Sequence, residues 1–206
     1  MYGPGSHGLF APKSDFMSIS LLVLGISSFL FHASLRQTLQ FADELAMLGL
    51  AWSLLQGILI ARHPPTNARL INISLAIAFP LFSIFYIWTG KIIYHATAFA
   101  AIMVLLTLRG IYLFHWLKPE LPKAKRYKWR AQGRKALYLL IVGYILWNID
   151  LEYCKELRNL RELVGLPWAW LFELHGWWHI LTAVSASQFM DIVRELQEEF
   201  SNKKGK

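Results

Sequence analysis

Three histidines, a serine and an aspartate are spaced so that they could form a hydrolytic metal site. His175 and His179 are four residues apart, as are Ser28 and His32, so each pair would share one face of a helix. Three neutral imidazoles and a water form a common catalytic zinc shell. The pattern therefore predicts Zn²⁺ bound by His32, His175 and His179.

A zinc hydrolase also needs a group that accepts the proton of the attacking water. The histidine pair encloses no glutamate, unlike the H-E-x-x-H motif of metalloproteases, so the base must come from elsewhere. Asp43 is the leading candidate, because a short turn after His32 would bring it to the same depth in the membrane. Ser28 could stabilise the developing oxyanion or hold a ligand.

Each of these residues also has a purely structural interpretation. His32 could hydrogen-bond a backbone carbonyl, the His175–His179 pair could belong to an aromatic cluster at the membrane interface, and Asp43 could cap its helix. We favour the joint interpretation, because zinc accounts for all of them at one depth.

Other polar or aromatic residues could support such a site from outside the ligand set. Asp150 could accept a hydrogen bond from a zinc-bound histidine, although a solvated helix end is the slightly favoured interpretation. Glu44 could lie behind the site or pair with a neighbouring helix. Trp178, which directly precedes His179, could also support the site. His95 is expected to form a helix–helix hydrogen bond.

These residues lie in long apolar runs that predict an all-α, polytopic transmembrane bundle. A spanning helix needs about 20 mostly apolar residues. We predict six spans, at about 16–34, 41–61, 69–89, 92–115, 136–153 and 168–189. The predicted organisation is a short N-terminal segment (1–15), a transmembrane bundle (16–189) and a charged cytosolic tail (190–206).

Composition and charge agree with a membrane protein. Hydrophobic residues make up 55% of the 206-residue chain, and mean hydropathy is +0.37. The net charge of +8 lies mostly in the segments between apolar runs, which argues against nucleic-acid binding. With six spans, most Lys and Arg fall on the side of both termini, which predicts a cytosolic C-terminus and a site in the non-cytosolic half of the bilayer.

The ordered motifs resemble those of the alkaline ceramidases. They are Ser28-x-x-x-His32, Asp43-Glu44, Trp147-Asn148-x-Asp150-x-x-x-Cys154 and His175-x-Trp177-Trp178-His179. The resemblance implies an intramembrane zinc hydrolase of the endoplasmic reticulum or Golgi that cleaves the amide of ceramide, or of its dihydro or phyto forms. It implies zinc on His32, His175 and His179, with Ser28 and Asp43 completing the site, and membrane lipids as surroundings.

The chain departs from the family pattern at its beginning. Family members start with an acidic, Trp-containing segment that binds calcium, followed by a first helix, and they have seven helices. Here only residues 1–15 precede the first predicted span, so Ca²⁺ regulation is not carried over. The alternatives are a receptor similar to the adiponectin and progestin receptors with a structural zinc site, and an inactive, truncated ceramidase.

Overall fold

The computed structural model describes residues 15–61, 63–117 and 121–204, and this part of the chain is helical without strands. The predicted N-terminal segment lies almost wholly outside the described residues. The elements in chain order are α1 (Phe16–Ser34), α2 (Gln37–Ile60), α3 (Pro65–Thr89), α4 (Ile92–His115), α5 (Lys123–Glu152), α6 (Cys154–Val164), a 3₁₀ turn (Trp168–Phe172) and α7 (Leu174–Lys204).

The prediction of a helical membrane bundle is confirmed, but the count of six spans is not. Four of the described helices, α1 to α4, are long and apolar enough to cross a membrane. A fifth span results if α5 and α6, which are bent by 90° at their junction, are counted together. The sixth predicted span, 168–189, begins in the 3₁₀ turn and ends within α7, which is less apolar than α1 to α4.

Several helix ends follow from local sequence. Asp15 caps α1 by accepting a hydrogen bond from the Ser18 backbone N–H at 2.7 Å. α1 ends where Leu35 adopts the left-handed conformation (φ 54°), and α2 begins two residues later, at Gln37. Pro80 lies inside α3 without ending it.

The structure divides into two compact units, residues 1–111 and 112–206. In the first unit α2 packs against α1 and α3, and α2 is the most buried of the apolar helices. α3 instead exposes a stripe of large apolar side chains at helical spacing, as expected of a helix that faces lipid: Ile73, Ile77, Leu81 and Ile84.

In the second unit α5 and α7 pack along each other. The Trp178 side chain packs directly against the backbone of Gly143, where a Cβ atom would lie 3.1 Å from Trp178 Cε3. Ser185 Oγ donates to the Ala136 carbonyl across this interface at 2.7 Å. α7 continues to Lys204, so the described part of the predicted charged tail is a continuation of this helix, in which Ile192 and Leu196 are fully buried.

The basic segment that precedes the fifth predicted span is, from Lys123 onward, the beginning of α5. Lys128 Nζ contacts Glu195 Oε1 at 2.6 Å, and Lys125 Nζ contacts Glu199 Oε2 at 2.6 Å. The buried Trp129 donates its indole N–H to Glu195 Oε2 at 2.7 Å. Glu195 therefore joins the start of α5 to the end of α7.

Two substitutions of Glu195 should distinguish how much its hydrogen bond from Trp129 and its ion pair with Lys128 each contribute to the free energy of unfolding. In Glu195→Ala the buried Trp129 N–H loses its acceptor, so the free energy of unfolding should fall by about 1–3 kcal/mol. Glu195→Gln keeps an acceptor and loses only a partly exposed ion pair, so it should cost about 1 kcal/mol or less. Denaturant unfolding in detergent micelles measures both, and equal losses would contradict this assignment.

The same ion pair should make stability depend on pH. Burial alone would raise the pKa of Glu195, but hydrogen bonds from Lys128 and Trp129 and the nearby lysine charges together hold that pKa below its usual value. A carboxylate with a depressed pKa stabilises the folded state above its unfolded pKa, and this contribution is lost as pH falls through the folded pKa. The stability difference between wild type and Glu195→Gln should therefore disappear in acid. A difference that persists there would contradict the ionic contribution.

Candidate active site

The first unit places three of the predicted site residues together near the α1–α2 turn. Ser28 and His32 lie on α1, and Asp43 lies on α2, where it is buried with 6% of its surface exposed. The Ser28 side chain and the His32 ring both lie close enough to the Asp43 carboxyl group to interact with it electrostatically. A potential proton acceptor therefore lies beside a potential metal ligand.

One oxygen of Asp43 has no visible role in folding. Oδ1 is buried and has no hydrogen-bond partner among the residues that the structure describes. A buried polar atom without a partner costs free energy, so such atoms in native proteins call for an explanation. Since the residue lies within the first two turns of α2 but its Oδ1 makes no capping contact, the capping interpretation does not account for that oxygen.

Glu44 participates in a different, structural network. Its Oε2 accepts a hydrogen bond from the hydroxyl of Tyr86, and its Oε1 accepts one from Gln40 Nε2 at 3.0 Å. His95 Nε2 lies 3.0 Å from the Glu44 carbonyl oxygen, so it is the protonated nitrogen and donates. Glu44 thus pairs with a neighbouring helix, and the expectation of a helix–helix hydrogen bond for His95 is confirmed.

Tyr86 is a buried partner that sequence reasoning missed. It is 1% exposed and is the one buried residue of α3, a fully described helix whose other side chains are largely open to the surroundings. A tyrosine in an apolar run resembles an interface residue. The signal that could have identified it is the unpaired charge of Glu44 in the preceding span, which requires a donor on an adjacent helix.

Removing the Tyr86 hydroxyl should destabilise the first unit. Tyr86→Phe leaves a buried carboxylate oxygen without one of its donors, so we expect a loss of about 1–3 kcal/mol in the free energy of unfolding. Tyr138→Phe is a matched control, since Tyr138 is 66% exposed and should change stability by about 0.5 kcal/mol at most. Equal stability of the two variants in micelles would contradict a structural role for the Tyr86–Glu44 bond.

The second unit contains the histidine pair. His175 and His179 lie at the start of α7 with ring centroids 4.7 Å apart, and a ring nitrogen of one lies within 4.8 Å of a ring nitrogen of the other. Both rings are half-buried. Two neutral imidazoles on one helix face at this separation have the chemistry and spacing that zinc requires of two ligands, so the residues present fit the predicted metal.

Trp178 is a sequence neighbour of this pair, and Asp150 lies on the adjacent helix α5. The contacts that these two residues make do not connect them to the histidines. Trp178 is buried against α5, where its ring stacks on Trp147 at a centroid distance of 5.9 Å and covers Gly143. Asp150 lies half-buried in the last turn of α5, and its side chain forms no hydrogen bond or ion pair with the residues that the structure describes. Trp178 packs the helices together, and a supporting role for Asp150 stays a prediction.

Comparison with known proteins identifies the family to which these residues belong. The model of the family described as Ceramidase matches residues 8–205, nearly the whole chain. The chain belongs to the ceramidase family. This confirms the resemblance inferred from the ordered serine, aspartate and histidine motifs.

Curated members of the ceramidase family align over most of the chain. Alkaline ceramidase 3 of Mus musculus is 30% identical over 172 residues, covering 82% of this chain and 60% of the relative. Alkaline ceramidase YPC1 of Saccharomyces cerevisiae is 30% identical over 176 residues, covering 79% and 55%. The putative alkaline ceramidase dcd3A of Dictyostelium discoideum is 27% identical over 187 residues. The chain spans somewhat more than half the length of these relatives.

Proposed function

We propose that this ceramidase-family chain is a zinc-dependent amidase that hydrolyses the N-acyl bond of ceramide, or of dihydro- or phytoceramide. The products would be a sphingoid base and a free fatty acid. The observation that supports this most is Asp43: a buried carboxyl group beside Ser28 and His32, with one oxygen free to accept a proton. The names of the curated relatives support the choice of substrate.

The proposed metal ligands are His32, His175 and His179. The half-buried pair on α7 supplies two imidazoles at suitable spacing, and His32 supplies the third from α1. Zinc, when bound, would polarise the amide carbonyl and activate water for attack. All three imidazoles must be neutral to bind metal, so affinity should weaken in acid.

In the proposed reaction the protein moves one proton and orients the groups that react. Asp43 accepts the proton of the attacking water through Oδ1, and then delivers it to the nitrogen of the leaving sphingoid base. The carbon–nitrogen bond breaks, and the oxygen of the water remains in the fatty acid. Ser28 holds the carboxyl group of Asp43 in position, which we assign to it in place of the predicted contact with the oxyanion.

The membrane location suits the proposed substrate. A lipid with two hydrocarbon chains can approach the site sideways from the bilayer, and four described helices are apolar enough to lie in it. From the distribution of Lys and Arg and the family resemblance, we propose a multi-pass protein of the endoplasmic reticulum or Golgi with a cytosolic C-terminus. The site would lie in the non-cytosolic half of the bilayer.

Hydrolysis in isotopically labelled water tests the proposed reaction. The full chain, reconstituted with ceramide in H₂¹⁸O, should release sphingoid base and a fatty acid that carries one ¹⁸O atom in its carboxyl group, as mass spectrometry can measure. The Asp43→Asn variant is the control for contaminating hydrolases. A chain that is folded and binds zinc, but releases no sphingoid base, would contradict the amidase and favour the receptor or the inactive ceramidase.

A further inference from the structure

The segment between α5 and α7 contains a short amphipathic helix at a right angle to its neighbour. α6 covers 11 residues and is bent by 90° from α5. At about 1.5 Å per residue it is roughly half as long as the apolar layer of a bilayer is thick. The fifth predicted span, 136–153, falls almost wholly within α5, and spans tilt by about 20° on average, so a helix at a right angle to α5 runs close to the membrane plane.

α6 has a charged side and an apolar side. Four of its five exposed polar side chains recur at helical spacing: Lys155, Arg158, Asn159 and Glu162. The fifth, Glu156, lies outside that side. Its leucines recur every three residues: Leu157, Leu160 and Leu163. The first two are half-buried and the third is 84% exposed, so the apolar side becomes open toward the end of the helix. This division is typical of helices that lie in a membrane interface.

The open apolar surface continues beyond α6 into the 3₁₀ turn. Leu166 is 88% exposed, Trp168 is 62% exposed and Trp170 is 50% exposed. A soluble protein rarely exposes so many large apolar side chains together. Tryptophan is enriched where a membrane protein meets the headgroups, because its ring is apolar and its N–H is polar.

The segment is also fixed to the start of α7. Arg161 Nη1 donates to the Phe172 carbonyl at 3.2 Å and to Glu173 Oε2 at 3.0 Å. The Trp177 indole N–H donates to the Leu171 carbonyl at 3.1 Å. The exposed side chains are therefore presented by a segment with defined contacts on α7, only a few residues before His175.

We propose that residues 154–172 form an interfacial segment that lies in the headgroup layer of the bilayer. Leu163, Leu166 and Trp168 insert at the boundary with the acyl chains, while Lys155 and Arg158 remain in water and beside lipid phosphates. The continuity of this surface with the fifth predicted span, which falls in α5, selects lipid as its partner. The proposal does not depend on ceramide hydrolysis.

Spin labels on the two sides of α6 test this placement. In a Cys154→Ser background, which removes the one native cysteine, Leu163→Cys and the matched control Arg158→Cys each carry a label. In phosphatidylcholine vesicles, the label at position 163 should collide more with oxygen, which concentrates in the acyl region, than with a water-soluble nickel chelate. The label at position 158 should show the reverse.

Two results would overturn the proposal. Equal access of the nickel chelate to both positions would place the segment in water. Dipolar broadening at position 163 that disappears on dilution with unlabelled protein would identify a second copy of the chain as the partner. If Leu163→Cys does not fold by circular dichroism, Leu166→Cys reports on the same apolar surface with the same expected preference for oxygen.

Discussion

Asp43→Asn should lower the rate of ceramide hydrolysis by about 10²–10⁴-fold, the usual contribution of a general base, while zinc remains bound. The amide is nearly identical in size to the carboxyl group, but it cannot accept the proton through Oδ1. The buried position of Asp43 and its contact with Ser28 should be retained. Steady-state kinetics in mixed micelles, together with zinc content by mass spectrometry, measures both effects.

Asp191→Asn is the matched control for this substitution. Asp191 lies on α7 with its side chain 54% exposed and paired only loosely, at 3.5 Å, with Arg194. Its replacement by asparagine should leave turnover and zinc content unchanged. If Asp43→Asn retained wild-type activity, Asp43 would be excluded as the proton acceptor, and the partnerless oxygen would need another explanation.

His179→Ala should abolish both zinc binding and hydrolysis. The substitution removes one of the two imidazoles at the start of α7, and a structural or catalytic zinc site depends on each of its few ligands. Zinc content of the purified protein should fall to background, and the rate of hydrolysis should fall with it. The free energy of unfolding measured with excess chelator should change little, because the ring is only half-buried.

His115→Ala is the control for the loss of a histidine. His115 is exposed in the last turn of α4, and its replacement should leave one zinc per chain and full activity. If His179→Ala retained zinc as tightly as His115→Ala does, the pair on α7 would not be part of the metal site. The interpretation as an interfacial aromatic cluster would then be preferred.

The helical architecture could be predicted from the apolar runs. A long apolar run lies in the bilayer, where its backbone N–H and C=O groups find no water and must bond to each other within a helix. The predicted first span, 16–34, matches α1, and the fourth, 92–115, matches α4. The fifth predicted span, 136–153, falls in the later part of α5, and the earlier start of the helix at Lys123 was not predicted, because apolar patterning assigns this basic sequence to a loop. Lysines in this part of the helix form ion pairs with Glu195 and Glu199, which lie about 70 residues away in sequence.

The candidate site could be predicted where its residues are local in sequence. Within the second unit, the i,i+4 spacing places His175 beside His179. Within the first unit, the short turn between the helices places His32 near Asp43. The Glu44–Tyr86 bond joins residues 42 apart, and single-sequence patterns do not identify such pairs. The right-angle bend at Tyr153 was also missed, because α6 contains no glycine or proline to indicate a break.

The central claim, hydrolysis of ceramide at a zinc site, is tested most directly by removing and restoring the metal. The purified full chain should contain one zinc per chain, lose the release of sphingoid base when a chelator removes that zinc, and regain it on addition of zinc but not of calcium. Hydrolysis that continues after zinc has been removed completely would contradict a zinc-dependent amidase.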